Sequence, residues 1–202
     1  MNIQATIKAL KKNRYTVSFF NTSEEAADYL DKKLDQYTIG FGDSKTMSHM
    51  GLYKKLSSHN TVHDPYQSKD NDEFLEIAQK TLTTEIYLTS VNAMSETGEL
   101  INIDGTGNRV AGSLFGHKKV YFIVGTNKIE PTLEQAIWRA RNVAAPKNSK
   151  KYNLNTPCVM KGGRCYDCSS PERICNALVI HFKKMNDIED VEIILINEEL
   201  GF

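Results

Sequence analysis

Cysteine is missing from the chain until Cys158, there is one tryptophan, and prolines number five in 202 residues. No apolar run approaches the roughly 18 residues of a membrane-spanning helix, which excludes a helical membrane protein as the expectation. The opening MNIQATIKALKKNRY has neither an apolar core nor a small-residue cleavage site, so no secretory leader is expected. Net charge is absent too. The 25 Lys and Arg balance 25 Asp and Glu, against the basic excess of a nucleic-acid or membrane-surface binder. The five histidines (His49, His59, His63, His117, His181) show no metal-ligand spacing and read as core or surface residues. No internal repeat or low-complexity tract appears. The expectation is a cytoplasmic chain whose partners are neither membrane nor nucleic acid, with one domain's length and room for a core without covalent staples.

What is present alternates regularly. Ile3, Ile7 and Leu10 fall at helical spacing, and Tyr15 to Phe20 is aromatic and β-branched like a strand. Thr22 and Glu25 have the form of a capping box, opening a helix to Leu34. TIGF reads as a strand, MSHMGLYKKL as a helix, Val62 as a short strand and 70–82 as a helix with acidic residues in its first turn. EIYLTSVNAM (85–94) reads as one strand, SETGE as a turn and LINID as another strand. NRVAGSLFG reads as a helix, 118–125 as a buried strand and 131–143 as a helix with Pro in its first turn; ALVIHF and VEIILIN are two final strands. Alternation of this kind predicts an α/β fold with an open, largely parallel sheet covered by helices. Residues 1–35 are expected to pack as a helix–strand segment on a domain spanning 36–202, with a Cys-rich C-terminal insertion at 157–176.

In such a sheet ligands bind beyond the carboxyl ends of the strands. Gly40, Gly42, Asp43, Ser44 and Thr46 form a glycine-containing loop between strand and helix, where backbone N–H groups and hydroxyls suit a phosphate or carboxylate. The same residues also serve as ordinary turn and cap residues, and the Gly-Lys-Ser/Thr ending of a P-loop is missing. Asn92 and the run Asp104, Gly105, Thr106, Asn108 and Arg109 put polar groups on two adjacent strand ends. There Arg109 offers a planar fork for an anion, and Asp104 can orient it or bind a hydroxyl. A bland reading, local turn bonding by Asp104 and Asn108, is open as well. Lys128 follows the most apolar strand and either enters the same crevice or faces solvent. Asp104, Arg109 and Lys128 are the candidate catalytic residues; the glycine loop with Asn92, Gly105, Thr106 and Asn108 is the candidate ligand site. Arg139 and Arg141, two apart on the next helix, cannot share one face.

All four cysteines crowd into PCVMKGGRCYDCSSPERICN, spaced Cys158-x6-Cys165-x2-Cys168-x6-Cys175. Four thiolates suit tetrahedral zinc or an iron–sulfur cluster. The x6 spacing matches neither a two-CxxC zinc ribbon nor the common ferredoxin run. A Cys165–Cys168 redox pair and four inert thiols stay open, although a thioredoxin-like strand-to-helix setting is missing. A reducing compartment disfavours a disulfide.

The stretches IGFGDSKT, LTSVNAMSETGELINIDGTGNRVAG, VYFIVGTNKI, IWRARNVAAPKN and TPC…GRCYDCSSPERICN together resemble the lactate-utilization (LUD) domain family, from about residue 36 to 182. The resemblance implies the fold shared by ribose-5-phosphate isomerase, glucosamine-6-phosphate deaminase and CoA transferases, with IGFGDSKT similar to their glycine-rich substrate loop. It also implies a part in bacterial L-lactate oxidation beside iron–sulfur partner subunits; a homo-oligomer is a further arrangement the sequence leaves open. No counterpart of the CoA-transferase glutamate motif is present, and Asp104-Gly105 echoes only part of the isomerase's acidic loop. Three functions follow: a component of a hydroxyacid-oxidising system, a stand-alone enzyme on phosphorylated or CoA-linked molecules, or a metal-containing scaffold subunit without catalysis.

Overall fold

The computed structural model describes residues 2–202. In chain order the chain forms α1 (Ile3–Lys12), β1 (Thr16–Phe20), α2 (Ser23–Lys33), β2 (Thr38–Phe41), α3 (Lys45–His49), α4 (Leu52–Leu56), β3 (Thr61–His63), α5 (Asn71–Thr81) and β4 (Ile86–Thr89). Then come β5 (Ala93–Ser95), β6 (Leu100–Asp104), α6 (Asn108–Leu114), β7 (Lys119–Gly125), β8 (Ile129–Glu130), α7 (Leu133–Arg139), α8 (Ala145–Lys151), α9 (Pro157–Met160), β9 (Ala177–His181) and β10 (Asp190–Ile196). The capping box forms: Glu25 N–H donates to Thr22 Oγ1 at 3.2 Å and Thr22 N–H to the Glu25 carboxylate at 3.4 Å.

Six strands make an all-parallel sheet in the order β1-β10-β7-β4-β2-β3. The strands β2, β4, β7 and β10 are buried along nearly their whole length because both faces of the sheet are covered, while the edge strands β1 and β3 are more exposed. Ile86, Leu88, Tyr121, Ile123, Ile194 and Ile196 meet α2, α3 and α4 on one side. Tyr87, Val120, Phe122, Val124, Ile193 and Leu195 point to the other.

That second face departs from the expectation of helices alone. It is covered by α1 and by a second, mixed sheet, β8-β5-β6-β9, whose Met94, Leu100 and Ile129 join the same core. The outer face of this sheet packs Ala93, Ile101 and Ile103 against Ala136 and Ala140. EIYLTSVNAM is therefore two strands in two sheets, divided at 90–92, because Asn92 turns its carbonyl oxygen Oδ1 onto the Ile103 N–H at 2.7 Å.

Three other boundaries differ. Gly51, at φ 62, breaks MSHMGLYKKL into α3 and α4. The helix expected over 131–143 runs on through a π-helical turn at Ala140–Ala144 into α8. The N-terminal segment does more than lie on the core, since β1 is an edge strand paired to β10 in register from Thr16↔Glu192 to Phe20↔Ile196; Met1 lies outside the described residues. No helix among the described residues is long and apolar enough to cross a membrane.

The strand order fixes where a ligand fits. From β2 the chain steps outward to β3, then returns to β4 and proceeds the opposite way through β7 to β10. The reversal leaves a crevice beyond the carboxyl ends of β2 and β4.

Candidate functional site

A cavity of about 460 Å³ opens at that reversal, in the range of small-molecule sites. Its floor is Gly42 to Thr46 after β2 and Thr89 to Asn92 after β4. The Asp104–Arg109 loop, Lys128, α5's first residues, Lys151 with Tyr152, and Phe202 form its walls. Of the residues named from sequence, Gly42, Asp43, Ser44, Thr46, Asn92, Asp104, Gly105, Thr106, Asn108, Arg109 and Lys128 all line it. Gly40 does not. It lies inside β2, and a Cβ there would come within 2.8 Å of Thr81 and Thr84, so its smallness serves the packing of α5.

Gly42 is required by contact. A Cβ would sit 2.6 Å from Thr89 Oγ1 and 2.8 Å from the Tyr87 hydroxyl. Next to it Asp43 holds a left-handed backbone (φ 42) and has no hydrogen-bond partner for its carboxylate among the described residues. Burial lifts its carboxyl above the usual range; the cations of Arg109 and Lys151 oppose the shift, and Asp104 adds to it. A buried carboxyl at the cavity wall with no hydrogen-bond partner among the described residues is suited to proton transfer.

Asp104 is 2% exposed and its oxygens are fully engaged. Oδ1 accepts Gly105 N–H at 2.9 Å and Arg109 Nη2 at 3.1 Å; Oδ2 accepts the N–H groups of Arg109 at 3.1 Å and Val110 at 3.2 Å. The carboxylate thus caps α6 and braces the guanidinium, which also donates to Ile103 O at 2.8 Å. Nε and Nη1 of Arg109 make no hydrogen bond among the described residues, and the side chain borders the cavity. Asp104 acts through Arg109, and Arg109 offers a fixed fork to an anion.

Lys128 lies at the base of the cavity, 3% exposed. Its Nζ donates to Thr46 Oγ1 at 3.0 Å and Ser90 Oγ at 2.9 Å, and Ser90 in turn donates to Ile123 O at 2.6 Å. No carboxylate pairs with it among the described residues. Burial, with the charges of Arg139 and Arg109, pulls its ammonium down to about 7. Arg139 is buried behind it, donating to Asn92 O at 2.6 Å and Asn127 O at 3.2 Å, while Arg141 turns to the cysteine segment. The two arginines divide as their spacing requires.

Several lining residues carry no signal in the sequence. Ser68 to Asn71 and Phe74 come from the start of α5, and Asn148, Lys151 and Tyr152 from the end of α8. Lys151 Nζ rests over the rings of Tyr66 and Tyr152 at 4.6 and 4.7 Å, and Lys45 Nζ over Phe202 at 4.2 Å. With Arg109 and Asp104 paired to each other, Lys45, Lys69 and Lys151 exceed Asp43 and Asp70 by one positive charge.

The cysteine segment touches this cavity at one end. Ile174 lines it, and Asn176 donates its N–H to Asp104 O at 2.9 Å and Nδ2 to Gly105 O at 3.2 Å. All four thiols are free and partly buried. Burial pushes the Cys175 thiol up, Arg173 opposes, and Cys165 and Cys168 add to the rise. Cys165 Sγ accepts the Asp167 N–H at 3.4 Å and lies 4.0 Å from Arg141 Nη2. Cys158 is in α9, its Sγ 3.2 Å from Thr156 Oγ1. The donor type suits a soft metal, but the arrangement does not: among the described residues no three His, Cys, Asp or Glu side chains converge on one point.

A crystal structure of a DUF162 family protein from Deinococcus radiodurans has the same fold, at TM-score 0.56 and 11% identity over 96% of this chain and 95% of that one. Ribose 5 phosphate isomerase A from Neisseria gonorrhoeae overlaps 55% of this chain and 54% of its own at TM-score 0.35 and 14% identity. No curated protein sequence matches. The family model of the LUD domain matches residues 3–196, from α1 through the last residue of β10. The chain belongs to the LUD domain family, which is associated with lactate utilization.

Proposed function

We propose that the cavity binds a small hydroxy- or oxo-acid anion and that the chain works as a component of a lactate-oxidising system, beside iron–sulfur partner subunits. The supporting observation is Arg109, its guanidinium braced by Asp104 and its remaining donors unused in a cationic crevice. The carboxylate would lie on Arg109, and Asp43 is the group free to exchange a proton with the hydroxyl or carbonyl. Calorimetric titration with L-lactate and pyruvate tests this: binding to the native chain that is lost in Arg109→Ala is expected, and equal binding to both proteins removes Arg109 from the site.

The cysteines form the second half of the reading. A zinc ion or iron–sulfur cluster on Cys158, Cys165, Cys168 and Cys175 would require all four sulfurs to be drawn together, a rearrangement of the kind that accompanies metal uptake. Bound there, the group would supply either a structural cross-link or an electron site, and Arg141 and Arg173 would offset its thiolate charge. Iron, sulfide and zinc analysis after anaerobic purification decides it; a metal-free, stably folded protein rejects it.

One observation favours a second reading. The cavity is several times larger than a three-carbon acid needs. A phosphorylated or CoA-linked small molecule would fill it, with Lys45, Lys69 and Lys151 facing phosphate. A thermal-shift screen with sugar phosphates and CoA esters separates this reading from the first, because a ligand that binds only the native state raises Tm.

A further inference from the structure

Lysines at the cavity fall into two kinds. Lys45 and Lys151 sit over aromatic rings at its rim, and Lys69 is exposed. Lys128 is different. It is enclosed at the base, with Arg109 and Arg139 as the charges facing it and no carboxylate among the described residues to balance its own. A charged ammonium has three N–H groups to satisfy and finds two hydroxyl acceptors, Thr46 and Ser90. A neutral amine has two, both of which are met. Its lone pair then takes the remaining direction. Burial and the two guanidinium charges favour that neutral form near pH 7.

We propose that the Lys128 amine, held between the Thr46 and Ser90 hydroxyls, is a nucleophile that captures the carbonyl carbon of a small 2-oxo acid as an imine. This rests on the reading that the cavity takes a small carboxylate, and it names the reacting group. Arg109 holds the carboxylate, and the carbonyl carbon lies over Nζ. The lone pair adds to that carbon, and the carbonyl oxygen takes up one nitrogen proton to give a carbinolamine. The hydroxyl then leaves with the second nitrogen proton as water, and a C=N bond remains. One water is released, no electrons are exchanged and no co-reactant is required. The product imine is neutral, which suits a site already bounded by two cations. A desolvated lysine beside other cationic groups is a recognised way to activate an amine.

The experiment incubates the native chain with pyruvate and cyanoborohydride, which reduces imines selectively, and follows labelling by intact mass and peptide mapping. The expected result is one label per chain, on the peptide that contains Lys128, saturating with pyruvate. L-lactate, which has no carbonyl, gives none, and Lys128→Met abolishes the label. Label spread over exposed lysines such as Lys45 and Lys69, or no label at all, overturns the proposal. Calorimetry on the same samples distinguishes two failures. Pyruvate binding without a label rejects the imine alone, whereas no binding of pyruvate or L-lactate rejects the cavity reading and the imine with it. Because the mapping is done on the wild-type chain, the result does not depend on the variant folding.

Discussion

Asp104 and Arg109 are joined twice, by side chain and by backbone: Oδ1 accepts the guanidinium Nη2 and Oδ2 accepts the Arg109 N–H, each at 3.1 Å. One carboxylate therefore starts α6 and aims Arg109, the one arginine among the described residues that lines the cavity. Asp104→Asn replaces one acceptor oxygen by an amide that meets N–H donors head on. Loss of about 3 kcal/mol is expected, the low end for breaking a buried pair, together with weaker lactate binding. Urea unfolding and calorimetric titration of the variant check both, and an unchanged midpoint would show that the pair contributes nothing.

Lys128 makes stability depend on pH in a definite direction. In the folded chain its amine is neutral above about 7, while unfolded it stays protonated up to its ordinary 10.5. Between these values the unfolded state binds the extra proton, so folding strengthens as pH rises, by at most about 1.4 kcal/mol per unit. Lys128→Met should remove that slope. Denaturation of both proteins across the window reads it directly, and parallel curves would mean that Lys128 is charged in the fold.

Asp43 should govern the acid side of ligand binding. Its raised carboxyl faces Arg109 and Lys151 as cations and Asp104 and Asp64 as anions. Protonation as pH falls removes one negative charge from the cavity, so anion affinity increases through that range. Asp43→Asn is expected to bind lactate roughly tenfold more tightly at neutral pH, the effect of about 1.4 kcal/mol, and to lose the acid-side rise. Titrations at several pH values decide it; a variant with the native pH profile excludes Asp43.

Much of this site is visible in the sequence because it sits in loops that follow strands, where polar residues have no other reason to gather. The glycine loop and the Asp104–Arg109 run are of that kind. The walls at 68–71 and at Asn148, Lys151 and Tyr152 are not, since each reads as an ordinary helix end, and only the packing of α5 and α8 brings them together. Gly40 misled for a related reason: a glycine next to a ligand loop looks the same whether it faces the loop or a neighbouring helix. The second sheet was hidden because Ser90, Val91 and Asn92 are all compatible with a continuing strand. What stops the strand is a long-range bond from Ile103 to the Asn92 side chain, which no local pattern records.

That short crossing has a mechanical meaning. Ser90 is fastened into the six-stranded sheet through Ile123 O, Asn92 into the four-stranded sheet through Ile103 N–H, and Val91 alone separates them. The cavity therefore lies along a seam, with Lys128 and Thr46 on one side and Arg109 on the other. An anion gripping both sides acts as a rivet. The amides of Asn92 and Ile103 should then exchange hydrogen more slowly when ligand is present, with no change in the fold itself.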